Sequence, residues 1–290
     1  IFDITKCTGC RRCIRICPAE ALEIYFTPEQ QKILDEIAKQ AVVAVPEEKE
    51  AMAEEDEVAA KLQEYKGVWV YVEHTDGQPA HVSWELLGVG ANLAKTLDVE
   101  LCAVVIGDQV EHLCQESFAY GATKVYLIDA QLFHYYRTEP YYQAICYLIN
   151  KYKPEIVLIG ATDLGRDLAG AVATELQTGL TADCTGLSID EKRFLLQTRP
   201  AFGGNIMATI LTERTRPQMS TVRPHVMPLP EKNASLKGEI ICESLTTKED
   251  DIATKVLEVI DDRRSDTVDI AAAEIIVSGG RSMQAPENFQ

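Results

Sequence analysis

Four of the chain's nine cysteines fall in one short run, "KCTGCRRCIRICPAEAL", residues 6–22. Cys7, Cys10, Cys13 and Cys17 are spaced C-x2-C-x2-C-x3-C, and Pro18 follows the last. Thiolates are soft ligands, and this spacing suits an iron–sulfur cube. Two-residue gaps let consecutive thiolates curl around one corner of a [4Fe–4S] cluster, and Pro18 then turns the chain away. Zinc is the competing occupant, but its cysteines usually come as two separated pairs. Cys17 leaves two arrangements open. It closes the same cube, or it ligates a second cluster whose other half lies upstream of Ile1. Arg11, Arg12 and Arg15 sit between or beside the ligands in a chain of net charge −17. They form either a solvated surface group or a positive rim that favours the reduced cluster and attracts an acidic electron partner.

The remaining cysteines, Cys102, Cys114, Cys146, Cys184 and Cys242, are scattered, mostly in apolar runs such as "LCAVVIG". They read as buried free thiols in a reducing cytoplasm. The acidic balance argues against nucleic acid, whose phosphates need a basic face. No stretch approaches the ~20 apolar residues of a membrane span. The opening "IFDIT" has neither a basic region before an apolar run nor an initiating methionine, so no signal peptide is visible and an upstream extension is expected.

The elements that would position the cysteines come next. "ALEIY" after the run resembles the short closing strand of a bacterial ferredoxin. Residues 27–45 read as a helix: Thr27, Pro28 and Gln30 form a cap, a first-turn proline and a capping-box partner, and Ile33, Leu34, Ile37, Ala41 and Val42 recur on one face. Residues 46–64 carry eight acids and two lysines and read as a solvated tether. From Lys66 the pattern changes. "GVWVYVEH", "ELCAVVIG", "KVYLID" and "EIVLIGAT" are short apolar runs fit for buried parallel strands. Helical stretches separate them, at about 83–97 with Ser83 as cap, 109–120, 138–152 and 164–177. Alternating strand and helix predicts a doubly wound α/β sheet. Residues 186–223 read as antiparallel strands, with Asp190-Glu191 and "AFGGN" at turns. A helix over 249–260 and a last strand, "AEIIVSGG", complete the reading.

Chemistry outside the cysteine run is sparse. "GVGANLAK" at 88–95 falls inside a helix rather than after a strand, so it is no phosphate loop. The glycines of "GRDLAGAVATEL" read as close-packing positions. The five histidines show no metal-ligand spacing, and His74 reads as a satisfied loop histidine. No Ser/His/Asp arrangement and no P-loop is visible.

Two resemblances are carried by these residues. The cysteine run resembles one half of a bacterial ferredoxin. From residue 66 onward, "YKGVWVYVEHTDGQPAHVSWELLGVGANLAKTLDVELCAVVIG", "ATDLGRDLAGAVATELQTGLTADCTGLSID", "TRPQMSTVRPHVM" and "AEIIVSGGR" resemble the large (alpha) subunit of electron-transfer flavoproteins. The resemblance implies an adenine-nucleotide α-hydrolase-like domain followed by a flavodoxin-like domain that binds FAD. The divisions expected are an iron–sulfur module at 1–27, a helix and acidic linker at 28–65, the α/β domain at 66–265 and the opening of the FAD domain at 266–290. One further domain is expected beyond Gln290. Arg281, after Gly279 and Gly280, matches the arginine of the family's S-G-G-R-G motif, which contacts the FAD pyrophosphate region. Here Ser282 stands where the family usually has glycine. "TRPQMSTVRP" reads as a packed, extended segment, and any AMP or second FAD belongs to the small (beta) subunit.

A ferredoxin module ahead of a large subunit resembles the electron-bifurcating members from anaerobes. There NADH supplies electrons that divide between ferredoxin and, through the FAD of the large subunit, a partner dehydrogenase of acyl-CoA or lactate type. The chain would then be a cytoplasmic electron-transfer subunit rather than a stand-alone enzyme, with chemistry carried by its cofactors. Two alternatives are a non-bifurcating carrier with an iron–sulfur relay and a scaffold protein whose cysteines hold zinc.

Overall fold

The computed structural model describes Lys32, residues 62–260 and residues 275–289. The cysteine run lies outside the described residues. So do the strand after it and nearly all of the helix and tether expected over 27–64.

The order along the main body is β1 (Val68–Tyr71), β2 (His74–Thr75), β3 (Gln78–Pro79), α1 (His81–Leu97), β4 (Leu101–Gly107), α2 (His112–Ala119), β5 (Lys124–Asp129) and α3 (Thr138–Tyr152). It continues with β6 (Ile156–Gly160), α4 (Asp163–Glu175), β7 (Leu180–Cys184), β8 (Gly186–Ile189), β9 (Leu195–Ala201), β10 (Ile206–Ile210), β11 (Gln218–Val222) and β12 (Glu239–Cys242). Seven strands form one sheet in the order β12-β5-β4-β1-β6-β11-β7, and every pairing in it is parallel.

The strands β1, β4 and β6 are buried along their whole length, as apolar runs covered on both faces should be. Alternate residues feed two cores. Val68, Val70, Ala103, Val105 and Leu158 pack with Leu86, Leu87 and Leu97 of α1 and Leu113 and Phe118 of α2. Trp69, Val104, Ile106, Val157 and Ile159 pack with Ile145, Leu148 and Ile149 of α3 and Leu168 and Val172 of α4. Two helices therefore cover each face, which is the doubly wound architecture expected.

Glycine allows the closest approaches. A Cβ on Gly90 of α1 would lie 2.9 Å from Leu101 Cδ1, so "GVGANLAK" is helix-packing sequence. On Gly165 of α4 it would lie 2.0 Å from the carbonyl oxygen of Gly160, whereas Gly170 faces open space. The packing role thus belongs to Gly165 alone in "GRDLAGAVATEL".

Four sequence expectations are corrected. Ser83 does not cap α1. The cap position is Ala80, and Ser83 lies buried inside the helix, its Oγ accepting the Glu73 N–H at 3.0 Å. Only β8, β9 and β10 form the antiparallel sheet of 186–223. The Asp190 turn and the Phe202–Gly204 turn link them, with Gly203 and Gly204 at positive φ. The segment "QMSTV" is instead β11, a fully buried parallel strand between β6 and β7. The helix expected over 249–260 is a single turn, Glu249–Asp251, after which the chain runs irregularly to 260. The strand expected over 273–280 has no pairing in its described part, and Ile275, Ile276 and Val277 are exposed. Apolar, β-branched residues mark a strand only where a neighbouring strand accepts them.

Candidate functional site

The chain builds the sheet outward from β1 through β4 to β5, then crosses to the other side of β1 to lay down β6. The strand order therefore reverses at the carboxyl ends of β1 and β6, the usual place for a crevice in an open α/β sheet. Glu73 follows β1 there and is buried. Its Oε2 accepts a hydrogen bond of 2.5 Å from Thr162 Oγ1, and that hydroxyl accepts the Gly165 N–H at 2.9 Å as the N-cap of α4. Burial raises the Glu73 pKa, partly offset by the Thr162 hydroxyl and reinforced by the charge of Asp163.

His74 stands beside it. Its Nε2 lies 2.8 Å from the Ile106 carbonyl and its buried Nδ1 has no partner. Burial lowers the His74 pKa, so the neutral ring donates through Nε2 and keeps a lone pair on Nδ1. The expectation of a satisfied loop histidine therefore holds for one ring nitrogen. A cavity of about 290 Å³ opens here, lined among others by Tyr71, His74, Tyr136, Tyr141 and Leu164. At the end of β5, Asp129 accepts the backbone N–H groups of Gln109 and Val110 at 2.8 and 3.0 Å, fixing the loop after β4. A larger cleft, about 620 Å³, lies at the opposite end of the strands near Lys66, Glu155 and Arg193, where Arg193 and Glu155 already pair at 3.1 Å.

Glu73 is buried beside the crevice, His74 and His134 both line it, and no glycine-rich phosphate loop is found there among the described residues. The hydrogen bonds of Glu73, His74 and Asp129 tie the surrounding loops to the strand ends. Glu73 and Thr162 went unread in the sequence. A Thr three residues before a Gly at a strand-to-helix junction was the available signal.

The residues expected to meet FAD are partly described. Gly279 and Gly280 run extended into a single turn at Arg281–Met283, and all three of Gly279, Gly280 and Arg281 are exposed. They line a shallow groove of about 520 Å³ with Met283, Pro286 and Phe289. A Cβ on Gly279 would come 2.5 Å from the Phe289 ring, while Gly280 has only Ser282 Oγ near, at 3.8 Å. The free backbone at Gly280 and the adjacent guanidinium fit a phosphate-bearing group. Cys7, Cys10, Cys13 and Cys17 lie outside the described residues, so for the cluster the fit rests on the donor set of four thiolates.

Among the scattered thiols, Cys102, Cys114, Cys146 and Cys184 are buried as expected, and burial pushes each up to about 12. Cys242, on the edge strand β12, is exposed instead. No helix among the described residues is long and apolar enough to cross a membrane.

A parallel doubly wound sheet with a strand-end crevice defines a broad class of nucleotide- and cofactor-handling domains. Comparison with known proteins narrows it. Residues 68–247 match the electron transfer flavoprotein domain, and residues 1–22 match a 4Fe-4S binding domain. The protein FixB of Azorhizobium caulinodans is 48% identical over 241 residues, covering 82% of this chain and 65% of the relative. The electron transfer flavoprotein subunit alpha of Thermoanaerobacterium thermosaccharolyticum is 46% identical over 228 residues, covering 79% and 69%. That of Clostridium acetobutylicum is 47% identical over 232 residues, covering 78% and 68%. The chain belongs to the electron transfer flavoprotein family. It spans about two thirds of the length of these relatives.

Proposed function

We propose that this chain belongs to the large subunit of an electron-transfer flavoprotein and carries electrons between a [4Fe–4S] cluster, FAD, ferredoxin and a partner dehydrogenase, with NADH as the source in flavin-based bifurcation. The carrying observation is the union in one chain of a 4Fe-4S binding domain match at 1–22 and a flavoprotein domain match at 68–247. Cys7, Cys10, Cys13 and Cys17 would hold the cluster, which supplies one-electron transfer when bound. Arg281, with Gly279 and Gly280, would hold the pyrophosphate of FAD. In this reading residues 1–27 are the cluster module, 28–65 its tether, 66–265 the α/β body and 266–290 the opening of the FAD domain.

The α/β body contributes placement rather than bond chemistry. Its hairpin β9–β10 presents exposed Phe202, Ile206, Met207 and Ile210, with exposed Leu211 just past it. An apolar patch of that kind suits a protein partner, here the small (beta) subunit.

The test is anaerobic purification of the full chain with its small subunit, followed by iron, sulfide and flavin counts and NADH oxidation in the presence of ferredoxin and a higher-potential acceptor. Ferredoxin and the acceptor should be reduced together. Cys10→Ser should lower iron content and end ferredoxin reduction while the α/β body stays folded by circular dichroism. Unchanged iron in that variant sinks the cluster assignment. Turnover of the acceptor with ferredoxin left oxidised by the intact complex would replace bifurcation with a simple relay.

A further inference from the structure

One cluster of side chains lies outside the crevice and the cofactor groove. His81 opens α1, and its Nδ1 lies 2.8 Å from Glu85 Oε1, one helical turn on. His225, in the loop after β11, brings its Nδ1 to 3.8 Å from the same oxygen. Its backbone N–H also donates to the Glu85 carboxylate, at 3.0 Å to Oε2 and 3.2 Å to Oε1. The two rings stack with centroids 5.6 Å apart and planes 27° apart. The three donor atoms all lie within 4.8 Å of one another.

We propose that His81, Glu85 and His225 form a binding site for a divalent transition metal, zinc by its donor set. Two imidazoles and a carboxylate are a zinc set that leaves a fourth position for water, whereas calcium and magnesium take oxygen donors. Tetrahedral bonds of ~2.0–2.1 Å place ligand atoms roughly 3.3 Å apart, and the two observed separations from Glu85 bracket that value.

Burial supplies the driving force. The Glu85 side chain is 2% exposed, and among the described residues its ion-pair partners are the two histidines alone. A buried carboxylate needs a cation or a shared proton. The imidazoles are half exposed or more, so a metal can reach them. The backbone supports the arrangement. His225 holds φ at +63°, a left-handed conformation, and its ring stacks on that of His81 at the start of α1.

The site would staple α1 to the stretch that leaves β11 and crosses the sheet to its far edge. That stretch already packs on α1, where a Cβ on Gly88 would lie 2.9 Å from Pro230. β12 follows at the opposite side of the sheet. The proposal is independent of the electron-transfer reading.

The test is zinc retention by the full chain in its native complex, by equilibrium dialysis and metal counting, with iron monitored to show that no cluster cysteine has been freed. The wild type should hold one zinc per chain beyond its iron, and zinc should raise its unfolding temperature. His225→Gly suits the left-handed backbone and removes one ligand, and His81→Ala removes another. Each should weaken zinc binding by at least the roughly 10–100-fold that loss of an outer-shell partner costs, and should abolish the thermal shift. A wild type with intact iron that holds no zinc, or variants that retain zinc as tightly as the wild type, would overturn the proposal.

Discussion

At the residue scale, Gly165 has the tightest surroundings of the glycines among the described residues. Its missing side chain lets α4 sit directly on the end of β6, where an added Cβ would meet backbone oxygen at 2.0 Å. Backbone cannot swing aside as a flexible side chain can. Gly165→Ala should therefore force α4 outward, pull Thr162 away from Glu73 and destabilise the domain by about 3 kcal/mol, the upper end of ordinary overpacking costs. Gly170→Ala, five residues along the same helix and facing open space, should be neutral or slightly stabilising, since alanine is the better helix former. Urea unfolding of the two variants checks the contrast, and equal midpoints would refute it. The sequence showed both glycines inside a helix, but which one touches the sheet depends on the helix's rotation against β6.

Among the elements, the edge strand β12 pairs with β5 and is tied to α3 by one carboxylate. Glu243, just past β12, accepts hydrogen bonds from Lys151 at 2.7 and 2.8 Å, from Tyr147 at 3.0 Å and from Tyr152, all on α3. The Lys151 ammonium first, and then the Tyr152 hydroxyl, hold its carboxyl down to about 2. An ordinary carboxylate titrates near ~4.3, so the folded state prefers the ionised form. That contribution is present above the ordinary value and is lost as the pH falls from there through about 2. Wild type should be more stable than Glu243→Gln at neutral pH, and the gap should close over that acid window. Thermal unfolding across the range measures it, and a gap independent of pH would reject the role assigned to Glu243. Neither β12 nor this tether was legible beforehand. "EIIC" is too short to mark a strand, and its stabilising partners lie about ninety residues earlier in the chain.

For the whole molecule, the interface proposed for the small subunit falls on the exposed β9–β10 hairpin. Phe202, in the turn between β9 and β10, is 82% exposed, and Met207 on β10 is 56% exposed. Met207→Asp should leave the thermal stability of the subunit alone, because the side chain contributes little to its own core. It should weaken association with the small subunit by about tenfold or more, which corresponds to ~1.4 kcal/mol. Analytical ultracentrifugation of the mixed subunits reads this directly, and undiminished association would move the interface elsewhere.

The local chemistry of this protein was fixed along the chain. Four thiolates within a few residues, apolar runs of strand length and helical periodicity between them all act over short separations, so the cluster motif and the parallel α/β class could be read from the letters. Strand order could not. "QMSTV" reads as a packed, extended segment of an antiparallel set, yet it pairs in parallel between β6 and β7 and is fully buried there, with Gln218 accepting the Leu195 N–H at 2.8 Å and Thr221 accepting the Asp183 N–H at 3.0 Å. The histidines show the same limit. His81 and His225 carry no ligand spacing in the sequence, and only the folding of the β11 loop onto α1 sets both beside the buried Glu85. Periodicity reports what one element needs to bury. Which elements supply that burial is settled by contacts between residues far apart in the chain, and those exist only once the sheet has closed.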